Sequence, residues 1–158
     1  MQNPATDTRV RYRERLSPSL WMLVTAAVAA PMVTLTFTPL GSLPALLIGI
    51  AAALAIIVAM IAGSPGIRVT GTVLRAGRAH IDARWLGEVT ELVGEEARLA
   101  RGAGLPARGW HLIRGGIDGV VVVQNTDPDD PATSWTISTR TPDRLAAAIR
   151  DAEAAAAR

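Results

Sequence analysis

Hydrophobic and polar positions divide this chain into three regimes. An uninterrupted run from Leu16 to Ile67 carries no Asp, Glu, Lys, Arg or His, and every ionisable side chain lies before or after it. The turn signal Pro39-Leu40-Gly41-Ser42-Leu43-Pro44 cuts the run in two. The pattern predicts transmembrane helices over about 19–37 and 43–62, each about 30 Å long at 1.5 Å per residue, the thickness of a hydrocarbon core. The second holds nine Leu, Ile or Val residues between Leu46 and Ile61, together worth about −4 kcal/mol on an insertion scale. The first is weaker, because Thr25, Thr34 and Thr36 are polar and Pro31 lacks a backbone donor. Pro31 should kink the helix and free the Ala27 carbonyl for a neighbouring helix or a Thr hydroxyl. Ala26, Ala30, Gly49 and Ala53 form small-x-x-x-small patterns that allow close helix contact, within the hairpin or between copies.

After the stop signal Gly63-Ser64-Pro65-Gly66 the period changes from helical to two. Ile67, Val69, Gly71 and Val73 would share one strand face, with a turn at Gly77 and a second strand through Ala79, Ile81 and Ala83. Leu86 to Val93 reads as a third strand and Ala97 to Arg101 as one helical turn. Trp110 to Arg114 and Gly119 to Gln124 read as strands across a Gly115-Gly116 turn. The four-valine run Val120 to Val123 is apolar on both faces, which predicts a central, covered strand. Ser134 to Arg140 is the last strand. A C-terminal helix then follows, with Thr141 as N-cap, Pro142 in its first turn and Asp143 complementing the dipole. Leu145, Ile149 and Ala152 form its apolar stripe. The expected class is an α+β membrane protein: a basic tail (1–17), a transmembrane hairpin (18–62) and a domain over 67–158. Six short strands and a covering helix fit a pleckstrin-homology-like split β-barrel, or another α+β sheet.

Charge adds orientation. Arg9, Arg11, Arg13 and Arg15 precede the first span, Arg68, Arg75, Arg78 and Arg84 follow the second, and the loop between has no charge. The positive-inside rule then places both termini in the cytoplasm of a plasma (inner) membrane protein. A cleaved signal peptide is the rival reading, but the apolar run exceeds the usual h-region and no small-x-small site stands out. Residues 68–158 hold twelve Arg and twelve Asp or Glu, so this part is neutral. The isoelectric point of about 10.3 arises because the chain has no Lys and one Tyr, and it is no nucleic-acid footprint. The absence of Cys agrees with a reducing compartment.

An ordered set of segments resembles the actinobacterial membrane family known as domain of unknown function 3093. It comprises Tyr12-Arg13-Glu14-Arg15-Leu16, the paired spans, Arg84-Trp85-Leu86-Gly87-Glu88-Val89, the Thr126 to Pro131 loop, Trp135, Ser138-Thr139-Arg140-Thr141-Pro142 and the Leu145 helix. The part from Trp135 onward is also similar to bacterial membrane-linked pleckstrin-homology-like domains. The resemblance implies a fold and no reaction.

Candidate chemistry is sparse. Asp127, Asp129 and Asp130 are interrupted by Pro128 and Pro131 and lack the Gly and distant Glu of an EF-hand, so a solvated strand connection is expected. His80 and His111 lack metal-ligand spacing. There is no Walker loop and no G-x-S-x-G elbow, and Gly102-x-Gly104 is too weak to indicate nucleotide binding. Glu88, Glu91, Glu95 and Glu96 form an acidic run read as a solvated face, to which Arg84 and Arg140 would pair. Trp85, Trp110 and Trp135 are expected to dominate packing, or to anchor the domain if exposed. No catalytic residue, metal or cofactor is expected. The candidate interaction surface is Arg84, Trp85, Glu88, Trp110, Trp135 and Arg140. These features imply a non-enzymatic protein that presents a domain at the cytoplasmic face to a protein partner or an envelope assembly. A lipid head-group or small-ligand binding module is the alternative, with homo-oligomers allowed and nucleic acid not.

Overall fold

A computed structural model describes residues 9–158, and the chain divides into two compact units. One consists of Ser17–Ser64; the other joins the segment up to Leu16 with Pro65–Arg158.

The smaller unit is helical: α1 (Leu20–Ala27), α2 (Ala29–Phe37), a 3-10 turn at Thr38–Leu40, and α3 (Ser42–Ala62). Counted through the turn, both arms are 21 residues and apolar enough to cross a membrane. The break at Val28 lies three residues before Pro31. Proline has no N–H for the carbonyl four residues back and its ring crowds that group, so α1 closes with a tighter bond from Val28 N–H to the Thr25 carbonyl (3.2 Å). The Thr25, Thr34 and Thr36 hydroxyls bond the Trp21, Ala30 and Met32 carbonyls of their own helix at 2.9–3.0 Å. They satisfy themselves and are not directed at Ala27. Ala45, Gly49 and Ala53 are the buried residues of α3, one small-residue stripe at i, i+4 and i+8. A Cβ on Gly49 would lie 2.1 Å from Thr34 Oγ1 and 2.5 Å from the Ala30 carbonyl oxygen. The small-residue pattern therefore packs the hairpin on itself.

Among the described residues the larger unit holds eight strands in two four-stranded sheets. The first contains β1 (Val10–Arg15), β2 (Gly66–Thr70), β3 (Val73–Ala76) and β4 (Ala79–Asp82) in that order, all antiparallel. The second has the order β5 (Leu86–Leu92), β7 (Gly119–Asn125), β8 (Ser134–Thr139), β6 (Gly109–Leu112). Helices α4 (Gly94–Ala100) and α5 (Pro142–Ala156) complete it.

Four features differ from the sequence reading. The basic tail supplies β1, so the folded unit begins before the hairpin, and the helices are inserted as the connection between two paired strands. The expected long strand through Val73 is broken at Gly71, whose φ of 55° starts a two-residue turn; Gly77, φ 63°, starts the next. Glycine in the first turn position is what such hairpins require, but Val69-x-Gly71-x-Val73 preserves the alternation and hides the break. Strand β6 makes no hairpin with β7 and instead runs parallel to β8. The reason is burial: Val120, Val121 and Val123 are fully buried, so β7 must be flanked on both edges, while β6, with exposed His111, takes the sheet edge. Finally, the sheets do not close into a barrel, because the 3-10 turn Ala83–Trp85 carries the chain from β4 to β5 without pairing them.

Ile67, Val69, Leu74 and Ile81 of the first sheet and Val121, Val123, Trp135 and Ile137 of the second join Leu16 in one core. Helix α5 contacts strands of both sheets and buries Leu145, Ala146, Ala148, Ile149 and Ala152, the anticipated stripe. Each fully buried Leu or Ile there contributes about 1.5–3 kcal/mol relative to exposure.

Candidate functional site

The six residues expected to form one interaction surface do not come together. Trp135 is 3% exposed and belongs to the core, so it leaves the surface. Trp110 is its register partner on β6, with ring centroids 6.0 Å apart and planes tilted by 46°, and it packs partly buried against the same core. The pair arises because parallel strands put side chains of equal register on one face. Arg84 lies in the 3-10 turn with its guanidinium 5.2 Å over the half-buried Trp85 ring, and its carboxylate neighbour is Asp82 at 4.0 Å, not the acidic run. Glu88 is exposed on β5. The acidic run instead meets Arg150 of α5 through Glu91 (3.7 Å) and Arg98 through Glu95 (3.9 Å).

Arg140 leads elsewhere. It follows β8, and its guanidinium lies 3.5 Å from Glu14 Oε1, while its backbone N–H donates to the same oxygen at 3.1 Å. Glu14 is contributed by β1 and its side chain is 13% exposed. Its other oxygen, Oε2, accepts from the Tyr12 hydroxyl (2.7 Å) and the Thr139 hydroxyl (2.5 Å). With both protons committed there, the Thr141 hydroxyl donates to Tyr12 Oη across 2.8 Å, and Thr141 N–H donates to Thr139 Oγ1 at 3.2 Å. The Tyr12 and Thr139 hydroxyl oxygens lie 2.9 Å apart within the same network. Thr141 occupies the N-cap position as expected, but its side chain makes no cap bond because it is held by Tyr12. Burial, the largest influence, pushes the Tyr12 phenol upward; Thr139 and Thr141 oppose this and Glu14 adds to it.

This network is the floor of an open groove of about 660 Å³ between β1 and α5, lined by Arg13, Arg140 and Arg144, by Glu14 and Asp151, and by Ala147 and Ala148. Arg13 and Arg144 are exposed and make no ion pair among the described residues. Among the described residues strand β1 is the edge of its sheet, so one side of the groove is a strand border. The sequence reading missed Tyr12, Arg13, Glu14 and Arg144 as site residues. For the three on β1 the signal was the strict alternation Arg9-Val-Arg11-Tyr-Arg13-Glu-Arg15-Leu, a half-buried strand pattern read as a tail.

A second, smaller cleft is lined by Ala83, Arg84, Leu86, Glu153 and Ala156. Burial raises the Glu153 carboxyl, opposed by nearby Arg150, and Glu153 Oε1 is buried without a hydrogen-bond partner among the described residues. The Asp loop is a set of side-chain-capped turns: Asn125, Asp127 and Asp130 accept from the backbone N–H groups of Asp127, Asp129 and Ala132 at 2.9–3.0 Å. Asn125 Nδ2 bridges Asp130 (2.9 Å) and the Ala132 carbonyl (2.7 Å). It is a strand connection, and no cluster of three His, Cys, Asp or Glu suited to a metal occurs among the described residues.

No curated protein and no solved structure matches the chain. The family model described as a protein of unknown function, DUF3093, matches residues 11–149. That match begins inside β1 and ends in α5, spanning both walls of the groove, and the chain belongs to this family.

Proposed function

We propose that this protein is a two-span integral membrane protein whose larger unit, a non-enzymatic and pleckstrin-homology-like module, binds a protein partner or a membrane-linked assembly at the cytoplasmic face. The observation that carries the reading is the β1–α5 groove, which combines an edge strand, the apolar Ala147 and Ala148 in its lining, and charged groups of both signs. An edge strand and flanking charges suit an extended peptide segment, with backbone bonds giving affinity and charges setting register.

The chain path supports the placement. Because β1 pairs with β2, the segments on either side of the hairpin must share one side of a bilayer, as two crossings allow. Arginines flank both helices, which by the positive-inside rule makes that side cytoplasmic.

A photo-crosslinking amino acid at Arg144 or Ala147, with Arg108 as the comparison site, tests the proposal in native membranes. Adducts with one defined protein from the groove positions alone are expected. Equal labelling from all three sites, or none from the groove, overturns it.

A further inference from the structure

The register of the first sheet places four basic residues in one transverse row. Arg13 of β1 lies opposite Arg68 of β2, Arg68 opposite Arg75 of β3, and Arg75 opposite His80 of β4. All four are exposed, and their neighbours Ile67, Val69, Leu74, Ala76 and Ile81 point into the core. Directly opposed residues hold their Cβ atoms about 4.5–5.5 Å apart, and like charges so placed repel. None of Arg13, Arg68 and Arg75 has an ion-pair partner among the described residues. Among the described residues of these strands, Asp82 on β4, at the far edge of the sheet, shares the register alternation of His80; it receives the Arg84 N–H at 3.1 Å and lies 4.0 Å from the Arg84 guanidinium. The net neutrality of residues 68–158 thus coexists with a local row of cations, because Arg68 and Arg75 stand on this face while Glu88, Glu91, Glu95 and Glu96 lie on β5 and α4.

We propose that this arginine row is a docking face for the phosphates of anionic lipid head groups. Guanidinium groups in register across neighbouring strands present repeated donors to a plane of phosphates and relieve their mutual repulsion on binding. The row carries no aromatic side chain on which a base could stack, which disfavours single-stranded nucleic acid. Arg13 and Arg68 stand within a few residues of the two apolar helices along the chain, where anionic lipid attracts juxtamembrane cations. This inference concerns the outer face of the first sheet, which shares only Arg13 with the groove lining, and rests on the reading that the helices cross a membrane.

The test uses the full chain in lipid nanodiscs. The protein has no cysteine, so Thr72→Cys, in the β2–β3 turn, takes a single donor dye, with an acceptor dye on a lipid head group. Retention in the nanodisc after gel filtration checks the membrane reading separately. Replacing part of the phosphatidylcholine by phosphatidylglycerol should raise energy transfer, and salt should reverse the rise. Arg68→Gln and Arg75→Gln should each reduce the preference for anionic lipid about fivefold, with circular dichroism unchanged, while Arg108→Gln should leave it intact. Transfer that ignores lipid charge in a retained protein overturns the proposal. So does an equal effect of Arg108→Gln, displacement by inorganic phosphate at matched ionic strength, or preferential displacement by an RNA oligonucleotide.

Discussion

Tyr12 and Thr141, 129 positions apart, share a 2.8 Å hydroxyl–hydroxyl hydrogen bond. It ties the strand before the apolar hairpin to the first turn of the last helix, and Glu14 completes the tie by collecting Tyr12, Thr139 and Arg140. Two of the segments by which the sequence resembles its family, Tyr12 to Leu16 and Ser138 to Pro142, are therefore one structural feature.

Tyr12→Phe removes a donor from Glu14 and the acceptor of Thr141, and should destabilise the larger unit by about 1 kcal/mol. Glu14→Ala should cost more, about 1–3 kcal/mol, because it strands the Thr139 hydroxyl and the Arg140 N–H together. Thermal unfolding of the detergent-solubilised chain, followed by tryptophan fluorescence, reads both. The double substitution Tyr12→Phe with Thr141→Val should be less than additive, as expected for partners in one network. Strict additivity would show that the bond contributes nothing.

Tyr12 is the only tyrosine, so tyrosinate absorbance in the ultraviolet reports this phenol alone. Its ionisation should fall above the ordinary value of about 10, since burial disfavours the phenolate. The folded state keeps a proton that the unfolded chain has released. The resulting stabilisation is complete below that ordinary value and is lost as pH rises through the folded one. Tyr12→Phe should remove this component of alkaline destabilisation. Because burial outranks Glu14 among the causes, Glu14→Gln should lower the ionisation point only partway.

Glu153 should behave as a carboxyl whose protonated form the fold prefers. Stability from this preference is present below the unfolded carboxyl value of about 4.3 and is lost as pH rises through the folded one. Glu153→Gln should therefore raise the melting temperature at neutral pH, with the gain shrinking as the medium is made acidic. A gain that is independent of pH would assign the effect to packing in the Ala83–Leu86 cleft.

Gly49 permits a close approach of α3 to α2. Gly49→Ala forces a Cβ into Thr34 Oγ1 and the Ala30 carbonyl, a strain of about 1–3 kcal/mol for overpacking. In the cysteine-free chain, disulfide formation between cysteines placed at Leu35 and Leu46, which line one small cleft, should slow in this variant. Thr34→Ala should restore part of the rate, and only part, because the Ala30 carbonyl is backbone and stays in place. Unchanged cross-linking would show that the helices do not depend on this contact.

Local pattern determined much of this molecule from sequence alone. The uncharged run and its central turn gave two helices long enough to span a bilayer, the valine run gave a central strand, and Leu145, Ile149 and Ala152 gave the covering face of α5. Each is a periodicity within one segment, set by whether neighbouring side chains meet water or core. Tertiary structure decided what lies between segments. Pairing turned a basic tail into β1, moved β6 beside β8, withdrew Trp135 from the surface and gave Arg140 to Glu14. It also aligned Arg13, Arg68, Arg75 and His80. Strand register depends on contacts between residues far apart in the chain, and net charge, being a sum, carries no record of which faces the charges occupy.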